Sequence, residues 1–234
     1  MRFRDRREAG QLLAEELDFL KGKEDVIVLG IPRGGVVVAY EVAQAIDAPL
    51  DVYITRKIGA PHNPELAIGA VASDGGIVLD HDLIRQLGVP ESHVEEEMER
   101  QRQEIERRAK EYRGDRPPLE LTGKTVVVVD DGVATGATTM ATLRALQKQE
   151  PKQLILAIPV GPPDTVKQLG KEADRVVCLS TPRLFWAVGA FYTVFDQTPD
   201  EEVKRLLGAS PAPSGGGRGE SNHVKSQGDS ANTR

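Results

Sequence analysis

Three runs in this chain, VIVLGI from Val26 to Ile31, TVVVV from Thr125 to Val129 and LILAIP from Leu154 to Pro159, lack the alternation of apolar and polar residues. A strand with one face in water alternates; a strand apolar on both faces must be covered on both sides. Such runs therefore predict central parallel strands with helices packed above and below. Further strands are expected at Leu50 to Thr55, Ala67 to Ser73, Ile77 to Leu79 and Arg175 to Leu179, and helices at Arg6 to Phe19, Gly35 to Ala45, Thr138 to Lys148, Asp164 to Leu169 and Asp200 to Leu207. The alternation of the two gives the fold class: α/β, a central mostly parallel sheet flanked by helices, Rossmann-like in layout. Asp74-Gly75-Gly76 separates two of the strands as a hairpin turn.

With 234 residues the chain suits one sizeable core. That core is expected over residues 1–207. From Gly208 to Arg234 the chain is rich in Gly, Ser, Pro and Asn, with Val224 its only large aliphatic residue, and reads as a disordered tail. Residues 92–113 form a long charged helix, opened by Ser92 and Glu95 at capping-box spacing. Its narrow stripe of Val94, Met98, Ile105, Ala109 and Tyr112 offers a seam for a homodimer along Met98, Ile105 and Tyr112.

Several functions are disfavoured at once. A net charge of −6 with mixed signs is a poor match to nucleic acid. The single cysteine, Cys178, forms no internal disulfide, and His62, His81, His93 and His223 are scattered without metal-ligand spacing. No apolar stretch approaches the ~20 residues of a membrane span, and the N-terminus has no leader-like apolar segment, so a cytoplasmic protein is expected.

The segment from Thr125 to Thr139, TVVVVDDGVATGATT, carries the chemistry. A buried strand delivers Asp130 and Asp131 at its carboxyl end, a small-residue loop follows, and a helix starts at the threonines. Helix N-termini present unpaired N–H groups, and bare residues let those amides approach phosphate oxygens. Neither a P-loop nor a G-x-G-x-x-G pattern occurs. Adjacent strand residues point to opposite faces, so the two acids fit hydrogen bonds from vicinal sugar hydroxyls better than a shared proton.

Together with Ile31-Pro32-Arg33-Gly34-Gly35, about 100 residues earlier, this segment resembles the type I phosphoribosyltransferases. The resemblance covers roughly Val26 to Leu179. It implies a magnesium-dependent transferase that moves the 5-phosphoribosyl group of phosphoribosyl pyrophosphate (PRPP) to a nitrogenous base and releases pyrophosphate. Asp130 and Asp131 then bind the ribose hydroxyls, and Ala134, Thr135, Gly136, Ala137 and Thr138 hold the 5′-phosphate. Arg33, Gly34 and Gly35 form the pyrophosphate loop. The stretch from Arg56 to Glu65 resembles the flexible loop that closes over PRPP, with Arg56 or Lys57 reaching pyrophosphate. Mg2+ is expected to arrive with the substrate, touching Asp130 or Asp131 rather than a protein-only cluster. A hood built from Phe3 to Phe19 and Thr181 to Gln197 is expected to choose the base. Five of ten aromatics, Phe185, Trp186, Phe191, Tyr192 and Phe195, fall there, with Trp186 a candidate stacking platform and a small core the alternative role. The competing function is a non-catalytic PRPP- or nucleotide-binding regulatory module of the same fold.

Overall fold

The computed structural model describes residues 1–210. Five parallel strands form the central sheet: β1 (Val26–Gly30), β2 (Leu50–Val52), β6 (Thr125–Val129), β7 (Gln153–Val160) and β8 (Arg175–Ser180), in the order β2-β1-β6-β7-β8. The unalternating runs are explained by this position. In β6, Val127 and Val129 enter the core on one face while Val126 and Val128 enter the core on the other, and all four are buried. The first face is covered by α1 (Arg6–Glu15), α2 (Gly34–Ile46), α4 (Glu91–Arg113) and α7 (Asp200–Gly208). The second is covered by α5 (Ala137–Gln147) and α6 (Pro163–Leu169).

A separate antiparallel sheet, β3 (Thr55–Ala60), β4 (Asn63–Ala72) and β5 (Ile77–Leu79), packs against α4 and α5. Asp74-Gly75-Gly76 makes the β4–β5 turn as expected, with Gly75 at φ +83°. Two expectations change here. The stretch from Arg56 to Glu65 is a hairpin rather than an irregular loop, because β3 and β4 pair from Thr55 opposite Ala72 to Ala60 opposite Asn63. The strand expected at Leu50 to Thr55 is divided, its first half in the parallel sheet and Thr55 in the hairpin sheet. A short helix, α3 (His81–Leu87), was not expected; Asp80 caps it by accepting from Leu83 N–H at 2.9 Å.

The long charged helix is present, but its N-cap is Pro90 and no side chain caps it, so the Ser92–Glu95 capping box is not formed. Its apolar stripe does not make a free seam. Val94, Ile105 and Tyr112 are buried in the core of this same chain, and Met98 and Ala109 pack against that core. At its end Arg113 bridges Asp51 at 2.8 Å and donates to Val52 O, anchoring α4 to β2, all of it buried. The neighbouring Tyr112 hydroxyl donates to Asp200 in α7, and burial pushes its pKa up to about 12.

Helix α7 ends at Gly208 rather than at the expected Leu207, and Ser210 Oγ accepts from Leu50 N–H at 3.2 Å. The tail expected beyond it lies outside the described residues. No helix among the described residues is long and apolar enough to cross a membrane.

Helix α1 begins with a side-chain cap: the Asp5 carboxylate accepts from Glu8 N–H at 2.9 Å, and the next residue is Arg6. Asp5→Ala should lower stability by about 1 kcal/mol, a fall of a few degrees in calorimetric Tm. An unchanged Tm would mean that the cap does not hold this helix end.

Candidate active site

The strand order reverses direction between β1 and β6. From β1 the chain crosses through α2 to β2 on one side, and from β6 through α5 to β7 on the other. Such a switch point leaves a crevice at the carboxyl ends of the two strands, where open α/β sheets bind ligands. The two sequence motifs flank this crevice. Gly30 is paired with Val129, and Ile31 N–H donates to Val129 O at 2.9 Å, so Arg33-Gly34-Gly35 and Asp130-Asp131 leave the sheet side by side.

The contact is close enough to need the glycines. A Cβ on Gly34 would lie 2.0 Å from Asp131 Oδ2, and one on Gly35 would lie 2.8 Å from Val129 O and 2.9 Å from Asp130 Cα. Any side chain at either position would displace the acids or the strand that carries them. The Pro32–Arg33 peptide here is cis.

The acids are neighbours but have different partners. Asp131 is bridged by Arg6 Nε at 2.7 Å, with both side chains largely buried. Asp130 accepts from Asp131 N–H at 2.9 Å and, at 3.4 Å, from the Thr139 hydroxyl in α5. Burial, reinforced by the neighbouring Asp131 charge, holds the Asp130 pKa well above the ordinary carboxylate range. Burial raises Asp131 as well, against the opposing pull of Arg6. The two neighbouring acids are thus held by different hydrogen-bond partners.

After the acids the chain forms a turn that leads into α5. Gly132 has φ +145° and Gly136 φ +73°, conformations that favour glycine. Val133 N–H donates to Val160 O at 2.9 Å and the Thr165 hydroxyl to Ala134 O at 2.9 Å, pinning the loop from Ala134 to Thr138 against β7 and α6. Gly136 stands at the N-cap of α5 with no side chain of its own to cap the helix, and the first-turn N–H of Ala137 donates to the Thr135 hydroxyl at 3.5 Å. Helix N-termini of this kind can seat anions.

The remaining expected residues lie further out. Arg33 is half-buried, with Nη1 3.8 Å from Asp200 Oδ2. Arg56 donates from Nε to Gln101 Oε1 of α4 at 2.9 Å, and Lys57 lies next to it on β3, opposite Ala70. Trp186 is 89% exposed, whereas Phe185, Phe191, Tyr192 and Phe195 pack around Phe3, Ala9 and Val160. Most of the aromatic cluster is thus a small core that ties the C-terminal segment to the N-terminal one, as Phe3 N–H to Phe191 O and Thr193 N–H to Phe3 O show.

Three contributors were not selected from the sequence. Arg6 lies 125 residues from its partner, and nothing in its surroundings distinguishes it from Arg2, Arg4 or Arg7. Tyr192, whose hydroxyl donates to Asp131 O at 2.6 Å, was visible only as one of the aromatics. Thr139 follows the two threonines placed at the phosphate and turns instead to Asp130. Among the described residues no group of three His, Cys, Asp or Glu side chains could hold a metal.

Comparison with known proteins agrees with this geometry. Residues 6–195 match the family model described as phosphoribosyl transferase domain. Two curated proteins of Mycobacterium tuberculosis, from strains CDC 1551 and H37Rv and each provisionally named a phosphoribosyl transferase, are 46% identical over 205 residues. The match covers 88% of this chain and 46% of theirs, so the chain spans about half the length of the curated relatives it matches. The crystal structure of TT1426 from Thermus thermophilus is 48% identical and superimposes with a TM-score of 0.80, covering 88% of this chain and 98% of that one. Because the family match runs through both loops and the segments above them, the chain belongs to the phosphoribosyltransferase family.

Proposed function

We propose that this protein transfers the 5-phosphoribosyl group of PRPP to a nitrogenous base and releases pyrophosphate. The observation that carries the reading is the placement of two largely buried acids at the switch point, one turn from the α5 N-terminus at Gly136 and against a glycine loop carrying Arg33. In this reading the amides from Ala134 to Thr138 hold the 5′-phosphate, and Asp130 and Asp131 accept from the ribose hydroxyls. Arg33, with Gly34 and Gly35, meets the pyrophosphate. The β3–β4 hairpin, bearing Arg56 and Lys57, covers the reacting bond and excludes water.

Departure of pyrophosphate leaves C1 with oxocarbenium character, so catalysis depends on fixed charges around ring and leaving group. Mg2+ fits the donor set: it keeps several waters, shares substrate phosphates and needs only one or two carboxylates, here Asp130 or Asp131. When bound, it would neutralise charge on the leaving pyrophosphate. The acceptor is left to the hood, with Trp186 as the exposed ring for a planar base.

The test is a panel of bases with PRPP and Mg2+, read by thermal shift and pyrophosphate release. PRPP at about 100 times its Kd should stabilise by roughly 2.7 kcal/mol, several degrees for a protein of this size. Base-dependent pyrophosphate release supports the transferase. A shift with no release from any base would favour the non-catalytic PRPP-binding module, and no shift would remove both readings.

A further inference from the structure

The transferase reading gives Arg6 no role, yet Arg6 holds one of the two acids. Its Nε donates to Asp131 Oδ2 at 2.7 Å and its Nη1 to Asp196 O at 2.7 Å, while its Cζ lies 3.9 Å from the centre of the Phe195 ring. Phe195 stacks on Tyr192 with centroids 4.9 Å apart, and the Tyr192 hydroxyl returns to Asp131 O. A closed circuit therefore runs from the ribose acid through Arg6 to the hood and back to the acid's own carbonyl. The missing side chain of Gly34 makes room for it, since a Cβ there would lie 2.7 Å from Arg6 Nε.

We propose that Arg6 is a positioning residue that couples the ribose acid to the hood. The planar guanidinium donates in two directions at once, fixing one oxygen of Asp131 and leaving the rest of the carboxylate for substrate. Because the same cation holds Asp196 O and the Phe195 ring, movement of Asp131 on binding PRPP is transmitted to residues 192–196. The hood that receives the acceptor thus responds to the filling of the ribose site, and by linkage the ribose site responds to the hood. This inference rests on the proposed function for the identity of the ligand, but the Arg6–Asp131 contact does not.

Trp186, the chain's only tryptophan, provides the readout, since it is exposed in the hood and its neighbour Phe185 stacks on Phe191. PRPP with Mg2+ should change Trp186 emission in the parent protein. Arg6→Met should weaken PRPP binding at least tenfold by calorimetry and abolish the emission change even at saturation. Arg6→Lys, which keeps the cation without the fork, should recover affinity to within about threefold while leaving the emission change reduced. Parent-like affinity and emission in Arg6→Met would overturn the proposal, as would PRPP binding to the parent without any change in emission. If the parent binds no PRPP, the transferase reading fails, and the contact is judged by unfolding without ligand. Arg6→Met/Asp131→Asn should then melt a few degrees above Arg6→Met alone, because the buried acid left without its cation has been removed. Strict additivity of the two substitutions would overturn the coupling.

Discussion

Asp130→Asn is expected to melt higher than the parent protein and to turn over PRPP at least tenfold more slowly. The two effects have one cause. Asp130 is held by burial and by the adjacent Asp131 charge in a place that suits a neutral group, and its folded-state pKa lies well above its unfolded value. A group raised in this way contributes stability below its unfolded pKa, about pH 4, and loses that contribution as pH climbs through the folded value. At pH 7 to 8, without ligand, its charge therefore opposes folding. Asparagine removes the charge and keeps the shape, so Tm measured in EDTA should rise by a few degrees at neutral pH, with the gain vanishing below about pH 4. Pyrophosphate release should fall at least tenfold, about 1.4 kcal/mol of lost transition-state stabilisation. Asp131→Ala should show the same loss of turnover. A lower Tm for Asp130→Asn at pH 8 would mean that the acid is held by favourable partners, and unchanged turnover would take it out of the reaction.

Gly34→Ala should reduce turnover about a hundredfold, roughly 2.7 kcal/mol. The new methyl would sit 2.0 Å from Asp131 Oδ2 and 2.7 Å from Arg6 Nε, closer than a Cβ can remain to either, so the Arg6–Asp131 ion pair must move. Misplacing a substrate-positioning group by about 1 Å can cost two orders of magnitude in rate. Steady-state kinetics with Mg2+ and PRPP would measure the loss. Gly208→Ala at the end of α7 makes a suitable control, because its Cβ would meet nothing within 4 Å and its stability should stay within about 0.5 kcal/mol of the parent. If Gly34→Ala retained parent kinetics, the pyrophosphate loop would have to be placed elsewhere.

What could be read beforehand follows from how local each signal is. The central strands were legible because burial on both faces leaves an unbroken apolar run, as the four valines from Val126 to Val129 do. The turn into α5 was legible because glycine, small residues and a helix start fall within one short segment. Strand β3 was not: Arg56, Lys57 and Gly59 resemble an irregular loop, and only pairing with Val71, Ala70 and Ala67 makes them a sheet. The capping box failed because the chain enters α4 two residues earlier, through the extended Pro90 at φ −62° and ψ 141°. The stripe on α4 was correctly apolar, but periodicity reports that a face is covered and not which chain covers it. Arg6 is the extreme case, since one of several nearby arginines gains its role only from a contact made across the fold.

The pairing of Phe3 and Arg4 with residues 191–194 also fixes an order of assembly. Those hydrogen bonds, Phe3 N–H to Phe191 O, Thr193 N–H to Phe3 O and Val194 N–H to Arg4 O, each close a loop of nearly the whole folded chain. Synthesis proceeds from the N-terminus, and contacts between distant residues carry a closure cost that local ones do not. Both glycine-bearing loops, at Arg33 to Gly35 and Gly132 to Gly136, are therefore synthesised before residues 191–194 can pair with Phe3 and Arg4. The segment that bears Arg6 is thus tied to residues 191–194 only after every strand of the central sheet has been made.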